Sequence, residues 1–121
     1  MISGIGTDIA RKDRFGDNTN KLAERILTEY ELAEFNKSKD TISYVAKKWA
    51  AKEAISKAFG TGMAGNTKWK NIEIRHTGTG APFAIFKNEM YAHCEILNIK
   101  CNISISDEDE YVVAFAILER Q

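Results

Sequence analysis

Trp49-Ala50-Ala51-Lys52-Glu53-Ala54-Ile55-Ser56-Lys57-Ala58-Phe59-Gly60-Thr61-Gly62 has the spacing of a helix, with an acid placed where carbon is expected. At roughly 100° per residue with Ile42 as zero, Ala46 falls at about 40°, Trp49 at about 340°, Ala50 at about 80° and Glu53 at about 20°. Glu53 therefore lies in the middle of the apolar stripe. A carboxylate facing a core must be paired, metal-bound or protonated. Lys57 follows one turn later at roughly 60°. An intrahelical Glu53–Lys57 pair, worth about 0.2–0.5 kcal/mol at an exposed site, is the simplest partner. Lys48 at roughly 240° and Lys52 at roughly 280° make a second, basic edge, the kind that usually stands in solvent.

Working outward, the helical pattern runs from Ile42 to Phe59, with Thr41 as its cap and Gly60 as its carboxyl-end stop. Upstream, Lys37 to Asp40 is a polar break, preceded by a helix over about 20–35 whose stripe is Leu22, Ala23, Ile26, Leu27, Tyr30 and Ala33. Arg25, Glu29 and Glu31 lie off that stripe. Residues 2–9 read as a short central strand in which Gly4 and Gly6 leave room for another backbone or a ligand, and Asp8 lies at its end. Downstream come a small-residue loop from Gly60 to Asn66, a strand over 72–75, a turn over 77–82 and a strand over 83–86. A short helix over 88–97 then leads to a hairpin of 101–106 with 111–118, joined across Asp107-Glu108-Asp109-Glu110. Two antiparallel partners for the first strand give an α+β fold, an antiparallel sheet packed against helices, in a single domain over 1–121.

The chain has 121 residues, 44% of them hydrophobic, enough for one core and too few for two ordinary domains. Its 17 basic and 17 acidic residues cancel, so nothing calls for nucleic acid, and the low net charge is compatible with self-association. Cys94 and Cys101 form no CxxC pair and no disulfide framework, and are expected to be reduced and structural. The amino terminus has neither a basic region nor a long apolar one, and no run approaches a membrane span of roughly 18 residues. The expected location is the cytoplasm.

Three acids stand out as site candidates: Asp8, Glu53 and Asp107. Two carboxylates sharing a pocket repel unless a cation stands between them. Oxygen ligands without a cysteine or histidine cluster suit a hard ion, magnesium before calcium or zinc, and magnesium in turn recruits phosphate oxygens. Gly60-Thr61-Gly62 could offer backbone N–H groups to an anion, although it follows a helix and is no P-loop. His76 and His93 have no nucleophile or metal cluster near them in sequence and are read as structural.

Ile2-Ser3-Gly4-Ile5-Gly6-Thr7-Asp8-Ile9, Arg14, Arg25-Ile26-Leu27-Thr28 with Glu31, Ala50-Ala51-Lys52-Glu53-Ala54 and Lys57-Ala58-Phe59-Gly60-Thr61-Gly62 together resemble the ordered motifs of holo-acyl-carrier-protein synthase. The resemblance continues through Asn71-Ile72-Glu73-Ile74, Gly80-Ala81-Pro82 and Ile103-Ser104-Ile105-Ser106, almost the whole chain. It implies magnesium-dependent transfer of 4'-phosphopantetheine from coenzyme A to a serine of apo-acyl carrier protein, releasing adenosine 3',5'-bisphosphate. By the same similarity Asp8 and Glu53 hold the magnesium, Lys57 meets the reacting phosphate, and Glu31 is a candidate base for the serine proton. Lys48 stands for a basic residue on the 3'-phosphate, and Lys52, Gly60, Thr61, Gly62 and Pro82 belong to the coenzyme-binding surface. Arg14, Lys21 and Arg25 are the residues expected to meet an acidic carrier protein, in a homotrimer with sites between chains. Asn71 stands where relatives often have aspartate, and Asp107 where many have histidine; neither is given a role. Two other readings stay open: a noncatalytic carrier- or nucleotide-binding module, and an oligomerisation protein in which Glu53 and Lys57 are an ordinary pair.

Overall fold

A computed structural model describes residues 1–121. A long strand, β1 (Ile2–Arg11), leads through a 3-10 turn (Lys12–Phe15) to helices α1 (Thr19–Ile26), α2 (Glu29–Lys37) and α3 (Thr41–Phe59). After a loop and a second 3-10 turn (Trp69–Asn71) come β2 (Ile72–His76), β3 (Pro82–Phe86), α4 (Asn88–Leu97), β4 (Ile99–Asp107) and β5 (Tyr111–Arg120). Two antiparallel sheets result, one ordered β1-β5-β4 and one made of β2 and β3. The α+β fold with helices against an antiparallel sheet is the one expected from the sequence.

Three local expectations need correction. The first strand is an edge: β5 alone pairs with β1, and β5, with its buried Val112, Ala114, Ala116 and Leu118, occupies the centre. The weak strand preference of Gly4 and Gly6 suits an edge better than a centre. The helix over 20–35 is two helices, because Leu27 turns extended (φ −95°, ψ 141°) and Thr28 restarts the chain with a reciprocal cap. In that cap the Thr28 hydroxyl accepts from the Glu31 N–H while Glu31 accepts from the Thr28 N–H. Finally, Asp40 and not Thr41 caps α3, accepting from the Ser43 N–H at 3.1 Å. Gly60 does end α3, with φ at +78°.

Helix α3 is the axis of the molecule. Ala46, Ala50, Ala51, Ala54 and Ile55 are buried along it, and the small alanines let both sheets and the other helices approach. On its β1 side the approach is backbone to backbone. A Cβ built on Gly6 would lie 2.0 Å from the Ala54 carbonyl oxygen, and one on Gly4 would lie 2.0 Å from that of Ala58. Alternation along β1 turns Gly4, Gly6, Asp8 and Ala10 to one face and Ile5, Thr7 and Ile9 to the other. Cys94 and Cys101 are free thiols, both raised in pKa chiefly by burial. No helix is long and apolar enough to cross a membrane.

Candidate active site

The glycine-floored approach of α3 to β1 brings Asp8, two residues beyond Gly6, under the helix one turn after Glu53. The Lys57 ammonium donates to Asp8 Oδ1 at 3.1 Å and to the Thr7 carbonyl at 3.0 Å. Lys57 thus pairs with Asp8 across the fold, and the intrahelical pair with Glu53 does not form. Asp8 is 14% exposed, and its Oδ2 is buried with no hydrogen-bond partner. Glu53 has its pKa raised by burial and by the Asp8 charge, against which Lys57 and Arg14 act. Arg14, on the first 3-10 turn, lies over the rings of Phe15 and Trp49 at 5.4 and 5.6 Å. Four residues distant in sequence, Asp8, Arg14, Glu53 and Lys57, therefore share one electrostatic neighbourhood.

An orphaned carboxylate oxygen in a buried position is a costly arrangement unless something binds it. The donor set, two carboxylates and no thiolate or imidazole, suits a hard cation. The chain groups no third histidine, cysteine or acid with them. A bound ion would thus take its remaining ligands from water or from the oxygens of a substrate.

Glu31, Lys52 and Lys48 lie elsewhere, and the roles expected for them do not fit their surroundings. Glu31 and Lys52 are fully buried and joined at 2.7 Å. Both Glu31 oxygens are engaged, Oε1 by Lys52 and the Thr28 N–H and Oε2 by the Ile74 N–H, so it is not a base open to a substrate hydroxyl. Lys52 also donates to the carbonyls of Ile26 and Trp69 at 2.6 and 3.0 Å, leaving nothing for a coenzyme. Lys48, 2% exposed, lies over the Tyr44 ring and donates to the Ile74 carbonyl at 3.4 Å. Its expected place on a 3'-phosphate is not available in this arrangement. Helical spacing placed both lysines on a polar edge because it could not see the α1–α2 junction and β2 closing over that edge.

The remaining candidates are spread around the cluster. Gly60 and Thr61 spend their N–H groups on the Lys57 and Ser56 carbonyls that end α3, and the Thr61 hydroxyl meets Thr67 at 3.0 Å. Those two amides therefore cap the helix and are not offered to an anion. Gly62 follows at φ +61°. Pro82 opens β3 opposite His76, in the second sheet. Lys21 and Arg25 are exposed on α1. Asp107 is taken up by Lys12 at 2.5 Å and by Ser43 at 3.0 Å.

Local pattern shows Glu73 only as a residue of a short strand. It is fully buried, accepting from Thr28 at 2.6 Å, Arg75 at 2.7 Å and Lys87 at 2.9 Å. Burial works against its charge, but those hydrogen bonds win and hold its pKa at about 2. The Thr28-Glu29-Tyr30-Glu31 capping pattern was the one signal in the sequence for this network.

Comparison with known proteins identifies the family. The family model described as the 4'-phosphopantetheinyl transferase superfamily matches residues 4–116. A holo-[acyl-carrier-protein] synthase of Alteromonas mediterranea is 43% identical over 98% of this chain and 97% of the relative. That of Neisseria meningitidis is 41% identical over 99% of this chain and 100% of its own. The crystal structure of a Neisseria meningitidis holo-[acyl-carrier-protein] synthase superposes with a TM-score of 0.93 at 39% identity, over 99% of this chain and 100% of the other. A Bacillus anthracis holo-(acyl-carrier-protein) synthase in complex with CoA (3',5'-ADP) gives 0.87 at 36% identity, over 100% and 99%. On fold, on near full-length identity and on the family match, this chain belongs to the holo-[acyl-carrier-protein] synthases of the 4'-phosphopantetheinyl transferase superfamily.

Proposed function

We propose that this protein transfers 4'-phosphopantetheine from coenzyme A to a serine hydroxyl of an apo-acyl carrier protein, releasing adenosine 3',5'-bisphosphate. The observation that carries the reading is the Asp8 carboxylate, whose Oδ2 is buried without a hydrogen-bond partner beside Glu53 and Lys57. Asp8 and Glu53 would hold a magnesium ion. When bound, such an ion supplies charge neutralisation at the donor diphosphate.

The chain's own residues do the rest. Lys57 carries an ammonium on a flexible stem, half-exposed, and can turn from Asp8 to a phosphate oxygen as charge builds on the leaving side. Asp8 and Glu53, fixed on a strand and a helix, would hold the ion against the donor diphosphate, which the two carboxylates alone would repel. Arg14, pre-stacked on Phe15 and Trp49, offers a guanidinium to an acidic carrier at the edge of the same cluster. The carrier brings the nucleophile, so no catalytic triad is needed in this chain. Glu31, sealed by Lys52 and two backbone amides, leaves the serine proton to another acceptor.

A homotrimer with sites between chains is part of the same reading. The outer face of the β1-β5-β4 sheet supports it, where Ile5, Ile9, Tyr111, Val113 and Phe115 are between 39% and 62% exposed. Register sets Ile9 beside Val113 and Thr7 beside Phe115, so these side chains form one apolar patch. Such a patch marks an interface. It lies on the far side of β1 from Asp8, so a neighbour seated there borders the site without filling it.

The test is intact mass. Purified chain, magnesium, coenzyme A and an apo-carrier should yield a carrier heavier by about 340 Da, the phosphopantetheine moiety. Absence of that gain with coenzyme binding verified would reduce the protein to a binding module.

A further inference from the structure

The fully buried Lys52 is the residue immediately before Glu53, and its three hydrogen bonds end on three different segments. It donates to the carbonyl of Ile26, the last residue of α1, to Glu31 on α2, and to the carbonyl of Trp69 at the far end of the loop that begins with Gly60. The Ile26 carbonyl is at a helix end, where intrahelical donors run out. Glu31 in turn accepts from the Ile74 N–H at 2.7 Å, which brings in β2. The indole of Trp69 stacks on that of Trp49, one turn before Glu53, with centroids 4.6 Å apart. One ammonium therefore ties down both the helix that presents Glu53 and Lys57 and the return of the loop beyond them.

At mid-helix Lys52 alone makes three hydrogen bonds to other segments, while α3 is set in height by Gly4 and Gly6 and tied toward its ends by Ser43 to Asp107 and by Lys57 to Asp8 and Thr7. The buried residues of α3 toward the sheets are mostly alanine, and a smooth alanine surface packs nearly as well a few degrees either way. On the Asp8-facing edge the restraint is weaker, because Glu53 forms no ion pair and the Lys57 ammonium that bonds Asp8 and Thr7 is half-exposed. A directional three-point anchorage on the opposite side supplies what the alanines lack. Burial lowers the pKa of Lys52, and the Glu31 charge acts against that shift.

We propose that Lys52, held by Glu31, is a positioning residue: its three-way anchorage sets the rotation of α3 that turns Glu53 toward Asp8, and pins the Trp69 end of the neighbouring loop. Neither residue touches a substrate. The inference rests on the transfer reading above for its catalytic consequence and on the Asp8–Glu53 pair for its metal readout. Metal ligands whose supports are removed typically lose tenfold to a hundredfold in affinity.

The experiment compares wild type, Lys52→Arg and the double variant Lys52→Met/Glu31→Gln. The double variant removes both buried charges and keeps one side-chain oxygen, which can accept from either the Thr28 or the Ile74 amide but not from both. Mn2+ binding to each full-length chain, without coenzyme or carrier, is followed by electron paramagnetic resonance; thermal unfolding and kcat for carrier modification are measured alongside. The double variant should fold and bind Mn2+ at least about tenfold more weakly, with a matching fall in kcat, while Lys52→Arg recovers part of both. A folded double variant with wild-type Mn2+ affinity and kcat overturns the proposal. So does a wild type that takes up no Mn2+, or a pair of variants that both fail to fold, since Lys52 would then serve stability alone. If wild type takes up Mn2+, read as loss of the free-ion sextet, but modifies no carrier, the transfer reading fails and the positioning one stands.

Discussion

Gly6 lies against the backbone of Ala54, so closely that a methyl group on the glycine would meet the Ala54 carbonyl oxygen at 2.0 Å. The site depends on this contact, because it sets the height of Glu53 and Lys57 above Asp8. Gly6→Ala must push strand and helix apart, and backbone is the atom in the way. We expect a loss of about 2–3 kcal/mol in urea unfolding, with transfer falling further than stability explains. Gly78→Ala, which meets nothing within 4 Å, is the control and should leave both unchanged.

Glu53→Gln separates function from stability. Burial and the Asp8 charge raise the Glu53 pKa, so the folded chain holds that proton to a higher pH than the unfolded chain does. Stability is lost as pH rises from the ordinary 4.5 through the raised value, and the cost persists at neutral pH. The metal-free variant should therefore melt higher than wild type at pH 7 while transfer drops by about two orders of magnitude and loses its response to magnesium. A lower melting temperature would show that Glu53 is not the strained member of the pair.

Lys57→Ala is expected to behave differently. Its bridge to Asp8 involves a half-exposed ammonium, so the stability change should stay below about 1 kcal/mol. Transfer should fall by about 10²–10³ in kcat if the ammonium meets developing charge at the phosphate. A change confined to KM would place Lys57 in ground-state binding only.

Glu73 gives an acid-side signature. With its pKa moved from the ordinary 4.5 to about 2, its stabilisation is complete above about pH 4.5 and disappears as pH falls through the folded value. The contribution is at most about 3 kcal/mol. Wild type should lose melting temperature between pH 5 and 2 more steeply than Glu73→Gln, and the two curves should converge at the acid end.

Phe115→Glu tests assembly. The ring is 41% exposed on the outer sheet face, away from the core, so a single chain tolerates the charge. Sedimentation should show wild type as a trimer and the variant as a monomer with unchanged circular dichroism and greatly reduced transfer. A monomeric variant with full activity would place the complete site within one chain.

Much of this was legible in the chain itself. Period 3.6 from Ile42 to Phe59, the Gly60 stop, the hairpin on either side of Asp107-Glu108-Asp109-Glu110, and the β2–β3 turn all follow from local chemistry, which acts within a few residues. Gly4 and Gly6 announced a close approach, and motif order announced the family. Those grounds alone single out Asp8, Glu53 and Lys57.

What local pattern could not supply was which surface covers which. The same helical wheel that placed Glu53 in a stripe placed Lys48 and Lys52 in solvent, yet tertiary packing buries both lysines and leaves Glu53 half-open. Burial is decided by segments far along the chain, here β2, the α1–α2 junction and the loop at Trp69, whose arrival no spacing within α3 encodes. Most of the elements and the identity of the acids follow from the sequence alone; only the folded chain decided that α1 and α2 part at Leu27, that β1 is an edge, that Lys57 answers Asp8, that Glu31 answers Lys52, and that one carboxylate oxygen is left waiting.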